Sequence, residues 1–446
     1  MDFIDEFNEI ISLWLGDDSL EAISNASADD IFELAEKMAL SIRYHFHPDG
    51  TPNRNFSFIA NSSLSGGRHP CSYSECRIKK LDELVSFSSL YADEVYIQNP
   101  FEEVLIAGPE SVNEISRQEL IYGIYNYIYL KPLIEKGIIK YAQNMVALCQ
   151  KHSDTLANPI SAEIIRKENQ LYSLLEDQLA ERCTISFDIG KGAGPFLKFE
   201  GPKGIIDHGV IYLHLSGELP EAISRLMDKN LPYIFSRAEM LSEGMLSLII
   251  DPIIKDLSNQ EWHSAFYGTS YLCDNPTQMK IAAKLNSESY AASSSAFNKG
   301  MSHCLPLVYA KDLSAIVKLR EKEGEAFSVY RDKVHSLLKS TNRWSEVEVA
   351  EAFRDQILPE INLIDKKIKD WKLKTRESLK EKVIFSTGAV SIGLYAGMLP
   401  PNIGQLVAAI GGGSAIAGAV MDYNKTLKDR IEARSNDFYF LWQANQ

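Results

Sequence analysis

The chain has 446 residues, with 60 acidic and 46 basic side chains and a net charge of −14. That charge excludes an extended nucleic-acid footprint, because backbone phosphates would be repelled, and leaves room only for a local basic patch. An apolar content of 45% against 24% charged excludes global disorder, and the length calls for two or three domains.

The first residues, MDFIDEFNEI, are acidic and lack the basic region of a signal peptide. Six cysteines (71, 76, 149, 183, 273 and 304) are widely spread. Free thiols in a reducing cytoplasm are therefore expected. Residues 3–42 carry apolar side chains at spacings of three and four and predict two helices. Gly16 ends the first, and Ser27 or Asp29 caps the second, which is expected to bury Ile31, Phe32, Leu34, Ala35 and Leu40. From His45 to Cys76 the chain is rich in Pro, Gly, Ser and Asn and has no period, so a long structured loop is expected. Within it, RNFSF at 54–58 has the composition of a strand that pairs with a sheet edge.

Periodicity resumes at Leu81 as a helix that runs into a strand at Glu94–Ile97, stopped by Asn99-Pro100. An aromatic helix follows, with Tyr122, Tyr125, Tyr127 and Tyr129 as packing residues with polar edges. IIKYA after Gly137 predicts another short strand, and 159–182 an amphipathic helix. CTISFDI, PFLKFEG and GVIYLHL then predict a small antiparallel sheet. Residues 217–257 and 310–382 read as helices around a less regular 262–306.

The residues with metal-like chemistry are His45, His47, His69, Cys71 and Cys76. Imidazole nitrogens and thiolates are the ligands zinc prefers. In extended chain, a two-residue spacing sets His45 with His47, and His69 with Cys71, on one side, and Cys76 closes the site from a turn. Asp49 or Glu75 is placed to orient a ligand's second nitrogen. The two cysteines are five apart, outside the usual zinc-knuckle gap, and the competing reading is a polar loop with two inert thiols. In the same loop, SSLSGG at 62–67 is a candidate anion nest of backbone amides, without the lysine of a phosphate loop. GKGAG at 190–194 lies between strands and reads as a hairpin turn needing positive φ. His214 reads as a sheet-face residue. No nucleophile elbow, zinc-protease motif, kinase set or dinucleotide fingerprint occurs.

The segment LPLVYAKDLSAIVKLREKEGEAFSVYRDKVHSLL, with LYADEVYIQNPF at 90–101, PLIEKGIIKY at 132–141 and FYFLWQ at 438–443, resembles uncharacterised bacterial proteins encoded near anti-phage defence genes. The resemblance implies a bacterial intracellular protein with a role in defence. It implies no activity and no catalytic residues.

Residues 383–421 contain no Asp, Glu, Lys or Arg. Arms at 383–399 and 403–421 flank Pro400-Pro401, and each is near the lower length that crosses a bilayer. Small residues at four-residue spacing, such as Gly393 and Gly397, suit close helix contact, and basic flanks allow a hairpin with both ends in the cytoplasm. The arms hold few large apolar side chains, which favours a buried small-residue helical hairpin over insertion.

The fold class expected is α+β: predominantly helical, with a small central antiparallel sheet and a C-terminal helical hairpin. The domains expected are 1–158, 159–309 and 310–446. The function expected is that of a cytoplasmic component that binds another protein or assembles with itself. One alternative is a metal-dependent hydrolase or nuclease on the His/Cys loop, with zinc as its cofactor and Arg43, Arg54, Arg68, Arg77, Lys79 and Lys80 as a local basic patch. The other is an effector at the cytoplasmic face of the inner membrane, held there through 383–421.

Overall fold

A computed structural model of the chain describes residues 2–15, 21–46, 57–143, 149–154, 158–191, 194–202, 206, 209–215, 221–267, 269–275, 278, 307–308, 317, 320–321, 385–386 and 393–395. The chain divides into two compact units. Unit 1 comprises Met1–Ala147, His263–Asp274 and Tyr290–Gln446; unit 2 comprises Leu148–Trp262 and Asn275–Ser289. The division is not sequential, because the chain leaves unit 1 after Ala147 and returns to it at His263.

Unit 1 begins with α1 (Phe3–Leu15), α2 (Glu21–Asn25) and α3 (Ala28–His45). Ser27 caps α3 through a reciprocal box: its hydroxyl accepts from the Asp30 amide at 3.1 Å and the Asp30 carboxylate accepts from the Ser27 amide at 3.2 Å. The buried stripe of α3 is Ile31, Leu34, Ala35, Met38, Ala39 and Ile42. Leu40 lies off that stripe and is half exposed, contrary to the sequence expectation. Next come β1 (Ser57–Ala60), α4 (Ser74–Tyr91), β2 (Glu94–Gln98), α5 (Glu102–Ala107), α6 (Glu114–Ile134) and β3 (Ile139–Ala142). The strands at 94–98 and 139–142 stand where the sequence predicts them. Phe7, Phe101 and Tyr127 form an aromatic core, with ring centroids 4.5 Å apart for Phe7–Tyr127 and 5.7 Å for Phe7–Phe101. Burying a side chain of this size stabilises by about 1.5–3 kcal/mol.

Unit 2 holds α7 (Gln150–His152), α8 (Asn158–Arg182), β4 (Thr184–Gly190), β5 (Gly194–Glu200), β6 (Val210–His214), α9 (Glu221–Ser224), β7 (Tyr233–Ile234) and α10 (Arg237–Ser242). α11 (Ser247–Tyr267) closes it, and the division between the units falls inside this helix. The sheet order is β6-β5-β4-β7, all antiparallel. The first three strands are those predicted; β7 adds a fourth. Gly194, at φ +74°, pairs with Gly190 across the hairpin, so positive φ explains that glycine. Leu171, Leu175 and Leu179 of α8 recur every four residues and are buried with Ile185, Phe187, Leu197 and Phe199.

The chain then re-enters unit 1 as β8 (Ser270–Cys273). Farther on lie β9 (Leu307–Val308), β10 (Phe385–Ser386) and β11 (Gly393–Tyr395). The main sheet has the order β11-β8-β1-β2-β3. β1 is parallel to both β2 and β8, with Phe58 opposite Val95 and Ser270, and β2 is parallel to β3. All four residues of β1 are buried, as a central parallel strand covered on both faces requires. Ser57 and Phe58, the end of the RNFSF segment, therefore lie in the middle of a sheet rather than in an edge pairing, and residues 54–56 lie outside the described residues. The molecule is a mixed helix and sheet protein, as expected, but its second sheet, five-stranded and mainly parallel, was not foreseen.

β11 pairs antiparallel with β8, and β10 with β9. Residues 385–386 and 393–395 are thus strand where helical arms were expected; the rest of 383–421 lies outside the described residues. An unpaired β8 edge would leave backbone groups without partners, and an added strand satisfies them, which outweighs local helix preference. Among the described residues no helix is long and apolar enough to cross a membrane. Arg320 reaches α4, donating from Nη1 to the Ser88 carbonyl at 3.2 Å and from Nη2 to the Ala92 carbonyl at 2.9 Å, a cationic cap on the helix C-terminus.

Candidate functional site

In the main sheet, the strands after β1 extend to one side, through β2 and β3, while β8 lies on the other. The boundary between β1 and β8 is therefore a topological switch point. Crevices at the carboxyl ends of parallel strands at such points are where open α/β sheets hold ligands. Four polar side chains meet there: Asn61 and Ser63 just after β1, Asp274 just after β8, and Lys80 from α4.

Asp274 is the centre. Its Oδ1 accepts from Asn61 Nδ2 at 2.8 Å, and its Oδ2 accepts from Ser63 Oγ at 2.9 Å and Lys80 Nζ at 2.8 Å. Asn61 is fixed from both ends. Its backbone N–H donates to the Leu272 carbonyl at 2.8 Å, extending the β1–β8 ladder, and its Oδ1 accepts from the Leu64 amide at 3.1 Å. The Asn61 side chain is 1% exposed and Ser63 6%, so both donors are held by their surroundings and not by solvent.

Lys80 also pairs with Glu83, one turn along α4, at 3.1 Å. Burial pulls the Lys80 ammonium toward neutrality, but the Asp274 and Glu83 carboxylates outweigh it and hold its pKa above the ordinary lysine range. Glu83 goes the other way. Burial raises its pKa, the Lys80 charge only partly offsets that, and Asp274 adds to the rise. Lys80 faces two carboxylates, whereas Glu83 faces one close ammonium and a second carboxylate, which is why desolvation wins at the carboxyl and not at the amine.

A carboxylate offers about four lone-pair positions and an ammonium three N–H groups. Among the described residues Asp274 accepts three hydrogen bonds, leaving one position on Oδ1. Lys80 spends two donors, on Asp274 and Glu83. A fixed acceptor beside a remaining cationic donor is the complement of a hydroxyl, which both donates and accepts.

The loop after β1 is not the anion nest that SSLSGG suggests. Four of its six amides are used inside the loop: Leu64 to Asn61 Oδ1 at 3.1 Å, Ser65 to the Asn61 carbonyl at 2.9 Å, Gly66 to the Ser63 carbonyl at 3.0 Å and Gly67 to the Ser62 carbonyl at 2.7 Å. Donors spent in this way cannot cradle an anion.

Four of the five His/Cys residues proposed as ligands are among the described residues, and none of the four is part of the Asp274 cluster. His45 is the last residue of α3, not part of an extended segment, and its Nε2 lies 2.9 Å from Glu6 Oε2. That contact, foremost, holds the Glu6 carboxyl below its usual range. His69 and Cys71 precede α4, Cys76 is in its first turn, and His47 lies outside the described residues. Among the described residues no three His, Cys, Asp or Glu side chains are grouped to hold a metal ion, and no disulfide joins the described cysteines. Sequence reasoning missed Asn61 and Asp274 as site residues, and saw Ser63 only within the SSLSGG segment and Lys80 only as part of a basic patch. No protein-family model, curated protein or solved structure matches the chain.

Proposed function

We propose that unit 1 is a ligand-binding α/β domain. Its site lies between the carboxyl ends of β1 and β8 and takes a hydroxyl-bearing small molecule of the sugar or nucleoside class. What supports the reading is the Asp274 carboxylate, oriented by Asn61, Ser63 and Lys80 at the switch point of the sheet. The ligand hydroxyl donates to Asp274 Oδ1 and accepts from Lys80.

A thermal-shift panel of free sugars, nucleosides and nucleotides tests it. Ligand at 100-fold its Kd stabilises by about 2.7 kcal/mol, enough to move the melting point visibly. At least one panel member is expected to raise the melting temperature of the wild-type chain. Asp274→Asn, with folding checked by circular dichroism, is expected to weaken that binding about 10–100-fold, as loss of a hydrogen bond to a charged group does. A panel without effect on the wild type, or a shift unchanged in the variant, removes the reading.

A second reading, self-association through unit 2, is favoured by the outward face of the β6-β5-β4-β7 sheet. Tyr212 there is 55% exposed and Ile234 62%, in a row with Ser186 and Lys198. The same face carries Asp188 and Glu200, so it presents both charge signs to a second copy across a two-fold axis. Light scattering at tens of micromolar is expected to give the mass of two chains for the wild type and of one chain for the double variant Tyr212→Glu/Ile234→Lys. A wild type that stays monomeric defeats it.

A further inference from the structure

We propose that Arg77 is the positioning residue of the loop between β1 and α4, holding Asn61 and Ser63 in register with Asp274; what the loop is positioned to do rests on the ligand-binding reading above. Arg77 sits in the first turn of α4 with its side chain 4% exposed. Its guanidinium makes three bonds. Nε donates to the Gly66 carbonyl at 2.8 Å, and Nη1 and Nη2 donate to the two oxygens of Glu119, each at 2.9 Å. The guanidinium carbon lies 3.9 Å from the ring centroid of Tyr122. A planar fork facing a carboxylate on one side and a carbonyl on the other, over an aromatic face, is a task for arginine that lysine cannot copy.

Glu119, Tyr122 and Asn126 follow one another along one face of α6 at spacings of three and four. The loop is laid against that face. Gly66 has φ +76°, and a Cβ there would stand 2.6 Å from Asn126 Nδ2 and 3.1 Å from Leu81 Cδ2. The positive φ disfavours any side chain there, and a Cβ would also force Asn126 to shift. Gly67 closes the turn, since its Cβ would meet the Ser62 hydroxyl at 2.2 Å. With the amides of Leu64–Gly67 committed internally, the Gly66 carbonyl ties the loop to α4, and Arg77 takes it. Because the Gly66 and Gly67 amides bond back to Ser63 and Ser62, a shift of Gly66 moves the residues that orient Asp274. Arg77 thus carries the position of α6 into the site.

Amide hydrogen exchange on the full, unliganded chain tests the anchor. Two variants are used: Arg77→Lys, which keeps the charge and loses the fork, and Arg77→Met/Glu119→Leu, which removes both charges and leaves no unpaired one. In both, the amides of Leu64–Gly67 are expected to exchange at least 10-fold faster, while those of β2, β3 and the unit 2 sheet keep their wild-type rates. Unchanged loop amides overturn the proposal. So does an acceleration spread evenly over β1, β2 and β3, because that is the mark of a residue that only stabilises the fold. The measurement uses no ligand, so its failure removes the anchor alone, whereas failure of the thermal-shift panel removes the binding reading alone.

Discussion

Replacing Arg77 by methionine, with Glu119 left in place, is expected to cost about 3–5 kcal/mol of folding stability, the usual penalty for removing one partner of a buried ion pair. The Arg77 side chain is 4% exposed and Glu119 13%, so little water is at hand to replace the lost donors. The variant leaves both oxygens of Glu119 facing a methyl thioether and leaves the Gly66 carbonyl without its 2.8 Å donor. Each such group pays a desolvation cost that the native pair avoids. The double variant Arg77→Met/Glu119→Leu is expected to regain most of the loss, because replacing a whole buried pair by apolar groups is often near neutral. Urea unfolding followed by circular dichroism reads both, compared at equal m-values. A loss below about 1 kcal/mol in the single variant would mean that the pair is solvated in practice and that the loop is tied elsewhere.

The elements legible in the sequence are those whose signal is local. Ser27 followed by Asp30 forms the cap of α3, the 94–98 strand ends at Asn99-Pro100, and the alternation in residues 184–214 yields three antiparallel strands with one buried face. β1 and β8 carry a weaker signal: the strand composition of RNFSF overlaps the start of β1 without giving its place in the sheet, and SYLC gives none. SFIA and SYLC are four residues long, and a strand inside a parallel sheet lacks the in–out alternation that marks a strand with one wet face. The site inherits that blindness. Ser63 and Asp274 are 211 residues apart, so no spacing rule joins them. The glycines of the loop after β1 and the basic residues of α4 were visible, but as separate features. Their meaning depends on which strand Asp274 follows. At His45 a further signal is overridden: α3 runs through to this residue, so helical geometry replaces the extended backbone that the two-residue alternation assumed there, while His47 lies outside the described residues.

Acidification from pH 6.5 to pH 4 is expected to remove about 3 kcal/mol of stability through His263. The ring is 1% exposed, and burial, opposed by its bond to Gln143, pushes its pKa down from 6.5 to about 4. Its Nε2 lies 3.1 Å from the Gln143 carbonyl, which only accepts, so Nε2 carries the hydrogen of the neutral ring and Nδ1 is a lone pair with no hydrogen-bond partner among the described residues. Tyr267, one turn along α11, packs its ring 6.2 Å away and its hydroxyl accepts from the Gln143 backbone N–H at 2.9 Å, so the same residue is held through both its N–H and its carbonyl. The sign follows from proton counting. Below pH 6.5 the unfolded chain takes up a proton at this residue, while the folded chain does so only near pH 4. In that window the unfolded state binds more protons, and stability falls as pH falls. Above pH 6.5 both states are neutral and the contribution is complete; below pH 4 both are charged and the loss is finished. A depression of about 2.5 units at 1.36 kcal/mol per unit gives about 3 kcal/mol. His263→Gln keeps a donor for Gln143 and does not titrate. Plotted from pH 7 to pH 4, the stability of the wild type minus that of this variant is expected to decline by about this amount. Two parallel curves would show that His263 titrates in the folded protein as it does in the unfolded chain, and so is solvated there.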